Sequence, residues 1–326
     1  MLNWLIIGSG DVVDRLLDDS LFVKKKSQVV AIYSKDKLSA RRYALKHNIK
    51  YFNLSLESII NLNLINSAYI ASPPSSHLFY IKKFAKLGIN IFCEKPIVSK
   101  LNDIKIVKSI LKNHKINFTT AYYRRGLKRF IYIKKLIDQN KIGEILFFKI
   151  SYIHTLSSHP TAPIKFKKNE VPWRFKKNIS GGGNFLDMGT HTIDMVQFLI
   201  GDIKNIQGFK NNKLNIYDVE ETFVANIILK NKIIGSAIWS SVGSNNEDYF
   251  YIVGTKGHIK FSMSNSDKVE IKINNKIMNK NIAFEKPFHS NIAKEVISIF
   301  LNHNKEKKYT NLNGIDVIEK QLKALY

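Results

Sequence analysis

An aspartate and a histidine four residues apart, Asp187 and His191, are the most promising chemical pair in this sequence. They follow a glycine triplet at 181–183, and in a helix residues four apart share one face. A histidine that titrates near neutrality suits proton exchange with an alcohol, and Gly189 between the two would leave room for a bulky ligand. Two alternatives stay open: a capping aspartate beside a surface histidine, and a metal site of Asp187, His191 and Asp194, although no further His/Cys cluster lies nearby in sequence.

A lysine provides a further candidate group. Lys95 stands in the tripeptide Glu94-Lys95-Pro96, directly after the apolar run Ile89–Cys93. At the carboxyl end of a parallel strand, such a lysine could hydrogen-bond a substrate oxygen and polarise it while hydride moves. Because Lys and Arg together number 51 in this chain, an ordinary surface lysine is the alternative interpretation.

The N-terminal part of the chain alternates between predicted strands and predicted helices. Continuous apolar runs are typical of buried parallel strands. They predict five strands at Leu2–Ile7, Val29–Tyr33, Ala68–Ala71, Ile89–Cys93 and Asn117–Ala121. Stretches with helical spacing, such as Leu38–His47, lie between them. The sequence therefore predicts an α/β fold that opens with a doubly wound parallel sheet.

A glycine turn, Gly8-Ser9-Gly10, follows the first strand and precedes a predicted helix at Asp11–Leu17. Glycines there let backbone N–H groups approach a pyrophosphate at the helix N-terminus. Val13 replaces the third small residue of the usual pattern, so an ordinary strand–helix turn is the alternative. The alternation of strands and helices favours dinucleotide binding by Gly8, Ser9, Gly10, Asp11 and Val12.

The end of the second strand bears on the type of dinucleotide. An acidic residue there would bind the ribose 2′-OH of NAD, but the sequence reads Ser34-Lys35, and Asp36 comes two residues late. Ser34 and Lys35, with Arg41 or Arg42, could instead hold the 2′-phosphate of NADP. Solvated residues at a helix start are the alternative, and we favour NADP over NAD.

Two more loops are expected near the cofactor. Ser72-Pro73-Pro74 and His77 follow the third strand, and two prolines stiffen a loop at the carboxyl end of the sheet, where ligands of open α/β folds bind. A rigid turn without a ligand is equally consistent with these residues. We assign Ser72, Pro73, His77, Glu94 and Lys95 to the cofactor site.

After residue 122 the pattern changes. A helix at Phe130–Gln139, a strand at Ile145–Tyr152 and an irregular stretch at His154–Lys177 lead to the glycine triplet, which opens an amphipathic helix ending at Gly201. Alternating residues then predict five further strands, at Thr222–Leu229, Ile233–Ser240, Tyr249–Val253, His258–Phe261 and Val269–Ile273. A closing helix is predicted at Pro287–Leu301. The domains are therefore expected to span 1–122 and 123–326.

Composition excludes several classes of protein. The chain is 44% hydrophobic and 24% charged, which is ordinary for a globular protein. Its formal charge of +25 would suit nucleic acid, but the lysines are scattered and only seven of the 51 basic residues are Arg, so we expect no nucleic-acid partner. A single cysteine, no charged leader and no apolar run of membrane length predict a cytoplasmic protein without a membrane partner.

Together these motifs resemble the Gfo/Idh/MocA family, the glucose–fructose oxidoreductase and inositol dehydrogenase group. The resemblance covers nearly the whole chain. Its most specific parts are Glu94-Lys95-Pro96 and the block from the glycine triplet through Asp187 and His191 to Asp194. The turns at 143–145 and 254–257 also fit, and residues 122–125 and Trp173-Arg174 are similar to one bacterial branch.

The resemblance implies an N-terminal Rossmann domain and a C-terminal α/β domain with a large open mixed, mainly antiparallel sheet, which commonly serves as an oligomer interface. A homodimer or homotetramer is therefore expected. Lys95 matches the family's catalytic lysine, and Asp187 and His191 match its substrate-hydroxyl pair. The implied activity is hydride transfer between NAD(P) and a sugar, polyol or nucleotide sugar. We predict substrate contacts from Arg124, Tyr152, Trp173 and Arg174, and no metal.

Two rival functions remain on the same fold. A regulator would bind the cofactor without catalysis, and the presence of Lys95, Asp187 and His191 argues against it. A redox-neutral sugar-modifying enzyme would oxidise its substrate transiently and then eliminate or transfer a group. The sequence does not separate this second rival from a dehydrogenase.

Overall fold

The computed structural model describes residues 1–13, 18–23, 25–155, 171–302 and 314–326, with only the backbone for residues 18 and 19. The chain divides into two compact units. The first comprises Met1–Gly126 and Glu285–Ile315, and the second comprises Leu127–Phe284 and Asp316–Tyr326. No helix in these described ranges is long and apolar enough to cross a membrane.

The first unit is built on a five-stranded parallel sheet with the strand order β2-β1-β3-β4-β5. Its strands are β1 (Leu2–Ile7), β2 (Ser27–Tyr33), β3 (Ser67–Ile70), β4 (Asn90–Cys93) and β5 (Phe118–Thr120). All five predicted strands are confirmed to within two residues. The strand order reverses between β1 and β3, and such a switch point is where doubly wound folds bind ligands.

Four helices connect these strands: α1 (Lys37–Lys46), α2 (Leu56–Asn61), α3 (His77–Lys86) and α4 (Leu101–Asn113). Capping residues set where two of them begin, because Asp36 accepts from Ser39 N and Ser55 accepts from Ser58 N. The predicted helix at Asp11–Leu17 lies partly outside the described residues, which end at Val13 on this side.

The second unit contains an eight-stranded sheet with the strand order β13-β12-β11-β10-β6-β9-β8-β7. Its strands are β6 (Ile145–Thr155), β7 (Ile203–Asn211), β8 (Thr222–Leu229), β9 (Ile234–Gly243), β10 (Glu247–Gly254), β11 (Gly257–Phe261), β12 (Lys268–Ile273) and β13 (Lys276–Asn281). Only the β6–β9 pair is parallel. The mixed, mainly antiparallel sheet is confirmed, and β7 and β13 were not predicted.

Four more helices belong to this unit: α5 (Lys128–Asp138), α6 (Lys177–Ser180), α7 (Asn184–Asp187) and α8 (Gly189–Leu199). The single helix predicted after the glycine triplet is thus two helices that meet at Met188. Phe185 of α7 anchors them on the sheet, with its ring centroid 4.0 Å from that of Phe223 and 4.8 Å from that of Trp239. Aromatic packing of this kind gives the pair of helices a rigid base.

Two helices from the end of the chain complete the units: α9 (Ser290–Leu301) and α10 (Gly314–Leu325). The helix predicted at Pro287–Leu301 is confirmed as α9, which packs into the core of the first unit, where Phe300 stacks on Trp4 at 5.6 Å. No pattern in the sequence predicted this return. α10 was not predicted at all, and its residues from Asp316 onward belong to the second unit.

Candidate active site

The glycine turn after β1 is shaped by close approach of another strand. Gly8 has a φ of +100°, and a Cβ there would lie 2.8 Å from the carbonyl oxygen of Ala71. Only glycine fits this position without strain. A Cβ at Gly10, by contrast, would meet nothing within 4 Å, so open space adjoins the turn. Val13 points into the hydrophobic core and is fully buried. The turn therefore has the shape a pyrophosphate cradle needs.

The hydroxyl groups of Ser9 and Ser34 connect this turn to the end of β2. Ser9 Oγ donates to Ser34 Oγ at 2.9 Å, and Ser34 Oγ accepts from Asp36 N at 3.2 Å. The Asp36 carboxylate caps α1 by accepting from the Ser39 amide and hydroxyl. These hydrogen bonds from Ser39 lower the pKa of Asp36. The nearest acidic group is thus engaged in a helix cap, while the Lys35 side chain is exposed.

His77 binds the two predicted cofactor loops of the first unit together. Its ring is fully buried, with Nε2 2.7 Å from the Ser72 carbonyl and Nδ1 3.0 Å from that of Pro96. Burial lowers the pKa of His77, although these carbonyls act in the opposite direction. Ser72 Oγ also lies 2.6 Å from Ser76 Oγ. The imidazole therefore holds the loops, and both of its nitrogens face protein carbonyls.

Lys95 directly follows β4 and is half-buried. The Lys95 amide donates to the side chain of Glu94 at 3.3 Å. The Glu94 amide donates to the carbonyl oxygen of Ile70 at 2.8 Å, which extends the β3–β4 pairing by one hydrogen bond. The Glu94 carboxylate is almost fully buried and bonds to Tyr69 and His289. Lys95 thus stands at the carboxyl end of an interior strand of the parallel sheet, and its predicted place at a strand end is confirmed.

Arg124 was predicted to contact substrate, and it lies in the first unit in a 3-10 turn at Tyr123–Gly126. Its guanidinium is 5.1 Å from the ring centroid of Tyr123, and only 4% of the residue is exposed. The Tyr123 ring packs in turn on His289 at 4.8 Å. Arg124, Tyr123 and His289 therefore pack on one another in turn, and His289 contacts Glu94, the residue that follows β4.

In the second unit, three residues of the predicted site contact one another in turn: Asp187, Arg174 and Trp173. Arg174 Nε is 3.5 Å from Asp187 Oδ2, and the Arg174 guanidinium lies 4.4 Å from the ring centroid of Trp173. The Asp187 side chain keeps 27% of its surface exposed and that of Arg174 39%. A half-exposed ion pair of this kind leaves the carboxylate oxygens within reach of a ligand hydroxyl.

His191 lies in the first turn of α8, and it is 95% buried, so the surface histidine considered above is excluded. Gly189 does not leave room for a ligand, which corrects the sequence interpretation. A Cβ there would lie 2.8 Å from Phe185 and 3.3 Å from the indole nitrogen of Trp239. Glycine is needed because this face of α8 packs tightly on the core.

Tyr152, the remaining substrate candidate, lies on β6 and is 3% exposed. Its hydroxyl is 3.4 Å from Ser264 Oγ, and its ring meets His154 edge-on at 4.6 Å. Residues 156–170, most of the irregular stretch expected to recognise substrate, lie outside the described residues.

No cluster of three or more His, Cys, Asp or Glu in the described part of the chain has the arrangement of a metal site. Asp194 is 1% exposed and lies on α8 with His191. The Asp187–His191–Asp194 metal alternative therefore gains no support from the structure.

Sequence reasoning missed the residues that brace the glycine triplet. Glu220 Oε1 accepts from Gly183 N at 2.8 Å, and Tyr326 donates its hydroxyl to Gly181 O at 2.6 Å. Gln321 on α10 donates to Phe185 O at 2.8 Å. Burial raises the pKa of Glu220. These contacts span more than 35 residues, so no local pattern could have revealed them.

The fold and these residues define an α/β oxidoreductase with a dinucleotide-binding unit. Residues 2–122 match the model of the oxidoreductase family with an NAD-binding Rossmann fold, and residues 130–260 match that of the GFO/IDH/MocA C-terminal domain. The chain belongs to this family. It is an oxidoreductase with an NAD-binding Rossmann fold.

Individual proteins show the same similarity. Oxidoreductase P35 of Formosa agariphila is 30% identical over 307 residues, which cover 93% of this chain and 92% of that protein. Levoglucosan dehydrogenase of Pseudarthrobacter phenanthrenivorans is 27% identical over 259 residues, or 72% and 63% of the two chains. A structure of levoglucosan dehydrogenase with NADH and levoglucosan superimposes with a TM-score of 0.81 at 21% identity, over 99% of this chain and 96% of that one.

Proposed function

We propose that this protein transfers hydride between a nicotinamide cofactor and a hydroxyl-bearing carbon of a sugar, polyol or nucleotide sugar. The observation that carries the proposal is the α7–α8 segment, which presents a buried His191 four residues after an Asp187 paired with Arg174. A levoglucosan dehydrogenase among the relatives supports a carbohydrate substrate. The bound cofactor supplies or accepts the hydride, a chemistry that side chains alone do not offer.

Three side chains share the remaining work. His191 takes the hydroxyl proton during oxidation and returns it during reduction. Asp187, oriented by Arg174 at 3.5 Å, accepts a hydrogen bond from the reacting hydroxyl or from its neighbour. The Lys95 ammonium polarises a substrate oxygen as its bond order to carbon changes. The backbone of Gly8, Ser9, Gly10, Asp11 and Val12 would hold the pyrophosphate of the cofactor.

A substrate screen tests this function directly. Sugars, polyols and nucleotide sugars are offered with NADP and NAD, and their keto forms with the reduced cofactors, while the absorbance of the reduced nicotinamide is followed. Turnover of at least one carbohydrate is expected. Cofactor binding without turnover or isotope exchange on any of them would favour a regulator. Product formation without net absorbance change would identify a redox-neutral enzyme.

For the cofactor, we infer a preference for NADP. Ser34 stands where NAD-binding proteins have a carboxylate, Asp36 is engaged in capping α1, and Lys35 is exposed nearby. We expect a Kd for NADP about fivefold lower than for NAD, since one or two exposed ion pairs contribute about 1 kcal/mol in total.

Fluorescence titration with each cofactor measures this preference. Lys35→Ala should weaken NADP binding and leave NAD binding unchanged, while Ser34→Asp should reverse the order. Lys37→Ala, which removes an equal charge from α1, is the matched control. Tighter binding of NAD than of NADP by the unaltered protein would reject the inference.

For the assembly, we propose a homodimer or homotetramer formed through the open face of the eight-stranded sheet. Phe209, Val224 and Ile238 are cross-strand neighbours on β7, β8 and β9, and Phe209 is 86% exposed. Adjacent apolar residues on an uncovered sheet face mark an interaction surface.

Light scattering after gel filtration tests this assembly. Phe209→Asp combined with Val224→Lys should reduce the mass to that of one chain, because the charges would be buried in the interface. Leu38→Lys, at an exposed position on α1 of the first unit, is the control and should leave the mass unchanged. A monomeric unaltered protein would contradict the assembly, while the activity proposal would stand.

A further inference from the structure

A buried carboxylate lies immediately before Lys95. Glu94 Oε1 accepts a hydrogen bond from the Tyr69 hydroxyl at 2.6 Å and lies 3.0 Å from His289 Nε2. Its other oxygen, Oε2, accepts from the Lys95 amide at 3.3 Å. The His289 side chain is 1% exposed and that of Glu94 is 11% exposed. One face of the carboxylate is therefore held by two side-chain donors, while the other holds the Lys95 backbone.

Charge and burial agree with an ionised Glu94. Burial by itself raises the pKa of this carboxyl, but the hydrogen bond and charge of His289, the Tyr69 hydroxyl and the Lys95 ammonium together lower it below its usual value. Burial and the Glu94 charge raise the pKa of Tyr69 well above normal, so Tyr69 remains a donor. The group can thus keep one geometry throughout the neutral range.

Among the described residues, the His289 ring makes one polar contact, which is to the Glu94 carboxylate. Its Nδ1 is buried and has no hydrogen-bond partner among the described residues, so only Nε2 acts, toward Glu94. The ring face packs on Tyr123 at 4.8 Å, which fixes its orientation. His289 is the N-cap residue of α9, but its side chain makes no cap hydrogen bond. Packing alone would be satisfied by an apolar ring.

We propose that His289 is a positioning residue for Lys95 that acts through the Glu94 carboxylate. By holding Oε1 together with Tyr69, it sets the direction of Oε2 and hence the orientation of the Lys95 backbone. The residue comes from α9, 195 positions away in sequence from the carboxylate that it orients. The inference rests on the proposed function in that Lys95 is taken to be the group acting on substrate.

Matched variants separate the hydrogen bond from packing. His289→Phe keeps an aromatic ring against Tyr123 and removes the donor, whereas His289→Gln keeps a side-chain N–H donor for Glu94. Tyr69→Phe removes the other donor at the same oxygen and provides a second test if His289→Phe does not fold. Melting temperature is measured for each, so that kinetic changes are compared only among folded proteins.

Two measurements are made on the unaltered protein and each variant. The first is kcat and KM on a substrate from the screen. His289→Phe should lower kcat about tenfold with KM changed less than about twofold, and His289→Gln should recover most of the loss. The second is the rate of amine labelling of Lys95 relative to the exposed Lys100, followed by peptide mass spectrometry. This ratio should change about threefold in His289→Phe and stay near the original value in His289→Gln.

Each outcome is decisive. Unchanged kcat and labelling ratio in folded His289→Phe and Tyr69→Phe would overturn the proposal, as would equal losses in His289→Phe and His289→Gln. If the unaltered protein turns over no carbohydrate, the proposed function fails. In that case, a labelling ratio that changes in His289→Phe and recovers in His289→Gln would still support the proposal that His289 positions Lys95.

Discussion

Replacing His191 with alanine is expected to lower kcat by about 10²–10⁴-fold, the usual contribution of a general acid–base. The physical reason is that oxidation of an alcohol needs an acceptor for the hydroxyl proton, and the proposed function gives that role to His191. Steady-state kinetics on the substrate found by the screen provide the measurement. KM should change much less than kcat, because proton transfer matters most in the transition state.

A second histidine in the same unit supplies the control for this loss. His258 pairs with Glu270 at 3.1 Å on the sheet, away from α8 in sequence, and His258→Ala should leave kcat within about twofold. His191→Asn should be nearly as slow as His191→Ala, because an amide is polar but does not exchange the proton. Turnover near the original rate in a folded His191→Ala protein would exclude the acid–base role.

Replacing Lys95 with methionine is expected to lower kcat by about 10²–10³-fold, comparable to the loss of one preorganised donor at a developing oxyanion. Methionine keeps much of the length and apolar volume of the lysine stem and removes only the charge and its donors. The β4 end and the Glu94–Lys95 backbone contact involve main-chain atoms of residue 95, so the local fold should persist.

Cofactor titration distinguishes this loss from a binding defect. The Kd for NADP should stay within about threefold of the original value while turnover falls. Lys100→Met, five residues later and exposed, is the matched control and should be unaffected. A Lys95→Met protein that keeps full turnover would show that the lysine is only a surface charge, as the composition alone allowed.

Local patterns accounted for most of the secondary structure. The five strands of the first unit were predicted within two residues, since both faces of a parallel strand are buried and leave an unbroken apolar run. β8 was predicted at its observed bounds because one face is buried and one exposed, which gives strict alternation. The strands β7 and β13 were missed because their residues are mostly polar, and α10 was missed because its contacts lie far away in sequence.

The individual site residues illustrate the same division. Residue type and spacing singled out Asp187, His191 and Lys95 as candidates, because proton transfer and charge stabilisation require particular groups at the ends of particular elements. Spacing could not reveal the pairing of Arg174 with Asp187 at 3.5 Å, since the short helix α6 and the glycine triplet turn the chain between them. It also suggested the wrong role for Gly189, whose missing Cβ makes room for Phe185 and Trp239 and not for a ligand.

Neighbours along the chain were enough to predict the order of the elements and the glycine turn after β1, and to single out candidate groups for the chemistry. The burial of His191, the joining of two loops by His77, and the return of α9 that brings His289 to Glu94 became visible in the folded chain. These features depend on packing between distant segments. Their free energy comes from excluding water at contacts that no local periodicity records.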